Sequence, residues 1–173
     1  MSDNVVLVNK NNRKIGVAEK LQAHEDGKLH RAFSIFVFND KDELLIQKRN
    51  SAKYHSGGLW SNTVCSHPRP GERYLAAAHR RLKEEIGFDC PLKKIACFIY
   101  KASFENGLTE HEYDCVFVGK YDGNIQPDPE EIEDSNWIPV SNLQKEIKSH
   151  PEKYTFWFKK IVLDSSILSQ LAN

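Results

Sequence analysis

Apolar and polar positions alternate, cluster and change period along this chain in a way that divides it into elements. RAFSIFVFN (31–39) and ELLIQKR (43–49) are runs of β-branched, aromatic and aliphatic residues joined by DKD, the pattern of a β-hairpin. SAKYHSGG (51–58) interrupts the apolar runs, and its paired glycines predict a loop. GLWSNTVC predicts a short strand entering a second loop, SHPRPG. From Glu72 to Ile86 the period becomes helical. Leu75, Ala78, Leu82 and Ile86 recur at intervals of three and four, which predicts a buried stripe through those positions, and Gly87 supplies the stop. KKIACFIYKASF (93–104) and EHEYDCVFVGK (110–120) read as two more strands linked by ENGLT, and YDGN as a turn. EIEDSNWIPV reads as a last strand running into a helix with Ser141 as its N-cap. YTFWFKKIVLDSSIL reads as one C-terminal amphipathic helix.

Strands in antiparallel-looking groups, one long helix among them and helices at the end predict a mixed α/β arrangement, a sheet between helices. The length, 173 residues, fits one domain. Lysine plus arginine and aspartate plus glutamate are balanced at 24 each. No global field attracts nucleic acid or an anionic membrane, so an anionic ligand must be held by a local cluster of cations. The opening MSDNVVLVNKNN is too polar for a signal peptide, and no run approaches the ~18 apolar residues of a membrane span. The expectation is a cytoplasmic protein. Cysteines stand at 65, 90, 97 and 115 with no CxxC pair, which predicts reduced thiols. Cys97 and Cys115 read as small buried apolar residues, and Cys90, beside Pro91, as partly exposed.

Three stretches could carry chemistry. In SNTVCSHP, Cys65 and His67 could be a structural thiol, half of a metal site or an acid–base centre. On the predicted helix, Arg80–Glu84 and Arg81–Glu85 are i,i+4 pairs; they fit a solvated face or carboxylates gathered around a hard cation such as Mg²⁺. In EHE (110–112), Glu110 and Glu112 share one face of a strand while His111 points away. Those two carboxylates fit either an exposed edge strand or a bound cation that relieves their repulsion. His24 and His30, in AHEDGKLH, have a loop spacing. With His67 they would give three imidazoles and two carboxylates, a set suited to Mn²⁺, Zn²⁺ or Fe²⁺.

PGERYLAAAHRRLKEEIGF (70–88) is similar to the Nudix box at Glu72, Arg80, Leu82, Glu84, Glu85, Gly87 and Phe88. It departs from the box at Ser66, where the box opens with glycine, and at Arg81, where the box has a glutamate. EKLQAHEDGKLHRAFSIFVFN, LWSNTVCSHP, RRLKEEIG and EHEYDCVF, in that order, resemble type I isopentenyl diphosphate isomerases, the metal-dependent, flavin-independent family of the Nudix superfamily. The resemblance implies a Nudix-like α/β/α sandwich with a mixed, largely antiparallel sheet, one domain over 1–173, and an N-terminal segment of about 1–30 that supplies metal ligands.

It also implies roles. His24, His30, His67, Glu110 and Glu112 match the ligands of one buried divalent metal (Mn²⁺, Zn²⁺ or Mg²⁺), and Glu85 the carboxylate that holds Mg²⁺ on the substrate diphosphate. Cys65 and Glu112 match the two catalytic groups, Tyr100 the tyrosine supporting the glutamate, and Trp157 the aromatic facing a cationic centre. Lys20, Arg49, Lys53 and Arg81 match the cations around the diphosphate. The expected partner is a small isoprenoid diphosphate, with no nucleic acid, membrane or second subunit. Trp60 and Trp137 are read as core. Two rival readings stand beside this one: a Nudix hydrolase of nucleoside diphosphate derivatives, and a binding module with Cys65 and His67 as structural zinc ligands.

Overall fold

The computed structural model describes residues 4–171; the outermost residues of the expected 1–173 domain therefore lie outside the described residues. The N-terminal hairpin β1 (Asn4–Val8) and β2 (Lys14–Glu19) leads into the short helix α1 (Lys20–Glu25). Strands β3 (His30–Phe38) and β4 (Glu43–Arg49) follow, then the short β5 (Trp60–Ser61) and β6 (Val64–Ser66). Helix α2 (Tyr74–Ile86) precedes the long strands β7 (Leu92–Ser103) and β8 (Thr109–Lys120). After β9 (Ile132–Pro139) come α3 (Val140–Ser149), a 3₁₀ turn at Pro151–Lys153, α4 (Phe156–Leu163) and α5 (Ser165–Leu171).

The nine strands of the described residues form one mixed sheet centred on β3. Strand β3 pairs antiparallel with β1, β4 and β6, and parallel with β8 from His30↔Glu112 to Phe38↔Lys120. Strand β8 pairs antiparallel with β7 on its other side, with Tyr100 opposite Glu112. The β3–β4 turn is set by Asn39, whose Oδ1 accepts from the backbone N–H groups of Lys41 and Glu43 at 2.9 Å each.

Period two divides each central strand between two cores. Phe33, Ile35, Val37, Cys115 and Phe117 face α2, where Ala77, Ala78, Leu82 and Ile86 cover them. Phe36, Phe38, Tyr100 and Val116 face the opposite way, against Leu143 and Ile147 of α3, Phe158 and Ile161 of α4, and Ile167 of α5. Fully burying one Leu, Ile or Phe side chain contributes about 1.5–3 kcal/mol, so the α/β/α layering follows from the apolar pattern. Gly87 ends α2 as expected, in the left-handed conformation (φ 79°), with its N–H donating to the Lys83 carbonyl.

Several local expectations are overturned. Leu75 is 45% exposed, because the buried stripe of α2 starts at Ala77. Ser141 is not an N-cap: Pro139 holds that position in extended conformation, and α3 begins at Val140. The expected single C-terminal helix is two, because Asp164 Oδ1 accepts from the Ser166 N–H (2.9 Å) and hydroxyl (2.6 Å) and starts a new helix. Strand β8 lies between β3 and β7, so EHE is not on an edge. Cys97 and Cys115 face each other across β7 and β8 and form a disulfide, against the expectation of reduced thiols. Cys90 is buried, not partly exposed. Trp60 and Trp137 are partly buried, packed against opposite cores.

Candidate active site

The face of the sheet that carries α3 to α5 also holds the polar site. His30, Glu112 and Tyr100 stand in one row across β3, β8 and β7, and period two adds Glu110 to the same face. Cys65 lies opposite Ser34 on the short β6, and His67 follows directly after that strand. His24 does not come from a loop. It sits on α1, whose axis turns its ring to within 4.8 Å of His30 (centroid to centroid) and 5.8 Å of His67.

His24, His30, His67 and Glu112 offer ligand atoms within 4.8 Å of one another, and a second group, His24, His55 and Glu110, does the same. The hydrogen bonds fix the tautomers. His24 Nδ1 lies 2.7 Å from the Lys20 carbonyl and His30 Nδ1 2.8 Å from the Lys28 carbonyl. A carbonyl only accepts, so each Nδ1 carries the proton and each Nε2 presents a lone pair. Both Nε2 atoms are buried and have no hydrogen-bond partner. His30 Nε2 faces Glu112 Oε1 at 3.5 Å, and His67 Nε2 approaches the same oxygen at 2.9 Å. Lone pairs aimed at a carboxylate in a buried site are unfavourable unless a cation lies among them. The donor set fits a divalent metal ion.

Tyr100 ties the two carboxylates together: its hydroxyl donates toward Glu112 Oε2 at 2.6 Å and lies 3.0 Å from Glu110 Oε2. Burial and the charge of Glu112 push Glu110 well above the usual carboxylate range. Burial also opposes ionisation of Glu112, but the imidazoles of His30 and His67 gathered at its carboxyl outweigh it and hold that group well below its ordinary value. Burial lowers His67 to about 4 and pushes the Cys65 thiol up to about 12, the latter against the pull of Arg49.

These groups open on a cavity of about 250 Å³ lined by Lys20, Arg49, Lys53, Cys65, His67, Arg81, Glu85, Tyr100, Glu110, Glu112 and Trp157. His24 and His30 are fully buried and do not line it. Arg49 lies beside Cys65 and Trp157. Its Nη1 lies 3.6 Å from Cys65 Sγ, and its guanidinium sits 5.4 Å from the Trp157 ring centre. Trp157 is oriented by its indole N–H, which donates to Asn62 Oδ1 at 3.1 Å.

At the other end Glu131 binds both Lys53 and Arg81, the latter at 2.9 Å. Glu85 Oε1 accepts from Arg81 (2.6 Å) and Oε2 from Gln47 (3.2 Å), and Glu85 belongs to neither candidate metal group among the described residues. A cation on Glu85 would have to share it with Arg81.

The NUDIX domain family matches residues 28–158. The chain is 52% identical to isopentenyl-diphosphate Delta-isomerase 2 of Photorhabdus laumondii over 162 residues, covering 94% of this chain and 92% of that protein. The identity to isopentenyl-diphosphate Delta-isomerase 2 of Aromatoleum aromaticum is 50%, over 91% of this chain and 83% of the relative.

The chain belongs to the isopentenyl-diphosphate Delta-isomerase family. The fold is shared with solved structures too. DR0079 of Deinococcus radiodurans superposes with a TM-score of 0.77 at 21% identity, covering 92% of this chain and 96% of that one.

The sequence reading missed His55, Gln47 and Glu131, which line the cavity, and Asn62, which orients Trp157 from behind it. Asn62 and Gln47 looked like ordinary strand and loop residues. Glu131 lay in an acidic run without a partner visible in one dimension. His55 had a signal, a histidine immediately before SGG in a loop, but it lacked a spacing to the other histidines.

Proposed function

We propose that His24, His30, His67, Glu110 and Glu112 hold one divalent metal ion, and that Cys65 and Glu112 carry the protons of the interconversion of isopentenyl and dimethylallyl diphosphate. This reaction of isoprenoid biosynthesis moves a carbon–carbon double bond by one position. A proton adds to the terminal methylene carbon of the alkene, a tertiary carbocation results, and a proton leaves the neighbouring methylene. The bound metal would supply a fixed positive charge that keeps Glu112 oriented and tunes its basicity.

Glu112, backed by the Tyr100 hydroxyl, is one proton carrier, and Cys65 is the other; they exchange roles with the direction of reaction. Trp157 offers an indole face to the cation without offering a nucleophile, an interaction of about 2 kcal/mol or more when desolvated. The aromatic walls and the helices behind them keep water from the carbocation. Lys20, Arg49, Lys53 and Arg81 hold the diphosphate, and a Mg²⁺ ion shared with Glu85 would complete its neutralisation. The enzyme would act as a cytoplasmic monomer in which the N-terminal segment completes the site; no helix of the described residues is long and apolar enough to cross a membrane.

The single observation that carries this reading is the union in one cavity of a cationic end, Lys53 and Arg81, with a proton-active end, Cys65, Tyr100 and Glu112. Incubation with isopentenyl diphosphate in D₂O tests it. Deuterium in the allylic product without released phosphate supports the isomerase. Phosphate release supports a Nudix hydrolase instead, and tight zinc binding with no turnover supports a binding module.

A further inference from the structure

His55 is a buried histidine that the mechanism above leaves without a task. The residue is 7% exposed, and its Nε2 lies 3.3 Å from Glu110 Oε1, with both side chains almost fully enclosed. Its ring is fixed on three sides. Phe104 stacks on it at 5.1 Å and 13°, while Tyr54 (4.5 Å) and Trp157 (6.3 Å) meet it edge-on. The Ser56 hydroxyl lies 3.3 Å from its Nδ1, and its backbone carbonyl accepts from Arg49 Nη2 at 3.4 Å.

The loop that carries it adopts an unfavourable backbone to do so. Ser56, directly after it, has φ 52°, a conformation that a non-glycine residue adopts at a penalty. Gly57 follows, and a Cβ there would meet the Ser51 carbonyl oxygen at 2.7 Å, so the loop closes only with glycine.

We propose that His55 is a positioning residue of the metal centre, whose Nε2–H donates to Glu110 Oε1 and fixes that carboxylate for ligation. The Ser56 hydroxyl is free to donate to Nδ1, which leaves the ring proton on Nε2. Glu110 Oε2 is already engaged by the Tyr100 hydroxyl at 3.0 Å. A donor on Oε1 and the Tyr100 hydroxyl against Oε2 hold the carboxylate plane beside His24, whose ligand atom lies within 4.8 Å of that of Glu110. A Glu110 held only by Tyr100 could rotate about its last bond, and its contribution to affinity would fall. The inference rests on the metal-centre reading above.

The test compares wild type, His55→Phe and His55→Gln, each stripped with a chelator and titrated with Mn²⁺ against a chromophoric competitor. The phenylalanine variant keeps the packing on Phe104 and lacks the donor; glutamine keeps an N–H donor. Thermal melts confirm that all three are folded. The expected result is a loss of Mn²⁺ affinity of about 10–100-fold in His55→Phe, an altered Mn²⁺ electron paramagnetic resonance line shape, and recovery of most of both in His55→Gln. Unchanged affinity and line shape in His55→Phe would overturn the inference. So would pulsed spectra that count one fewer coordinated imidazole in that variant, which would make His55 a ligand. A wild-type protein that takes up no Mn²⁺ at all removes the metal-centre reading itself, a different failure from a variant that binds as the wild type does.

Discussion

Tyr100 stands directly across β7 and β8 from Glu112, and its hydroxyl lies 2.6 Å from the Glu112 carboxylate while also reaching Glu110. One phenol therefore serves two buried acids. Tyr100→Phe should leave Glu112 without its donor and Glu110 without a polar neighbour, lowering stability by about 1–3 kcal/mol and turnover by roughly 10²-fold. Thermal unfolding and steady-state assay on the metal-loaded protein check the two effects separately. An unchanged kcat would show that the phenol has only a structural role.

Cys65 lies at the cavity wall, on a three-residue strand paired to β3. Cys65→Ala and Cys65→Ser should fold normally and keep their metal, yet lose turnover by about 10²–10⁴-fold. Metal analysis of the purified variants, set beside the D₂O assay, tests this. Near-wild-type turnover would remove Cys65 from the catalytic pair.

With the buried Nε2 lone pairs of His24 and His30 turned inward, the proposed metal centre should depend on its ion. Exhaustive chelation should abolish activity and lower the melting temperature, and both should return on adding back a single equivalent of divalent metal. Full activity after verified stripping would contradict the assignment of these histidines.

Glu131 sits between Lys53 and Arg81. Burial opposes its ionisation, but hydrogen bonds from these two cations outweigh it and bring its pKa down to about 2, from an ordinary 4.5. A depressed carboxylate stabilises the fold above its unfolded pKa, and that contribution is lost as pH falls through the folded value. The stability gap between wild type and Glu131→Gln should therefore be full at pH 5 and above, and close between about pH 4.5 and 2. Glu131→Gln should also bind inorganic pyrophosphate more tightly, because an anion competing for the two cations is gone. Denaturant melts across that range and calorimetry with pyrophosphate provide the readouts; weaker pyrophosphate binding would mean that Glu131 holds the cations in place and does not compete for them.

Much of the molecule was legible in one dimension, because period two and period 3.6 are local properties. The strands 31–38 and 110–120, the helix ending at Gly87 and the common face of Glu110 and Glu112 all follow from side-chain alternation. The misreadings occurred where a competing local bond or a distant partner decides. Asp164 split the last helix because its carboxylate found the Ser166 N–H, a cap that the apolar periodicity concealed. His24 looked like a loop residue because α1 spans only Lys20–Glu25, too short to display a period. The Cys97–Cys115 pairing depends on the register of β7 on β8, which spacing does not specify. Glu131 and His55 belong to the site only through contacts with residues far away in sequence, at Arg81 and Glu110.

The parallel pairing of β3 with β8 has a consequence for how the enzyme comes into being. His30 and Glu112 become neighbours only after the chain between them, including α2 and β7, has been looped out and docked. Long-range closures of this kind are slow and come late in folding. During synthesis, the last carboxylate of the proposed ligand set leaves the ribosome long after the first histidine. A partly made chain can offer an ion three imidazoles but not the full cage, so high-affinity capture would mark the moment at which the sheet is complete.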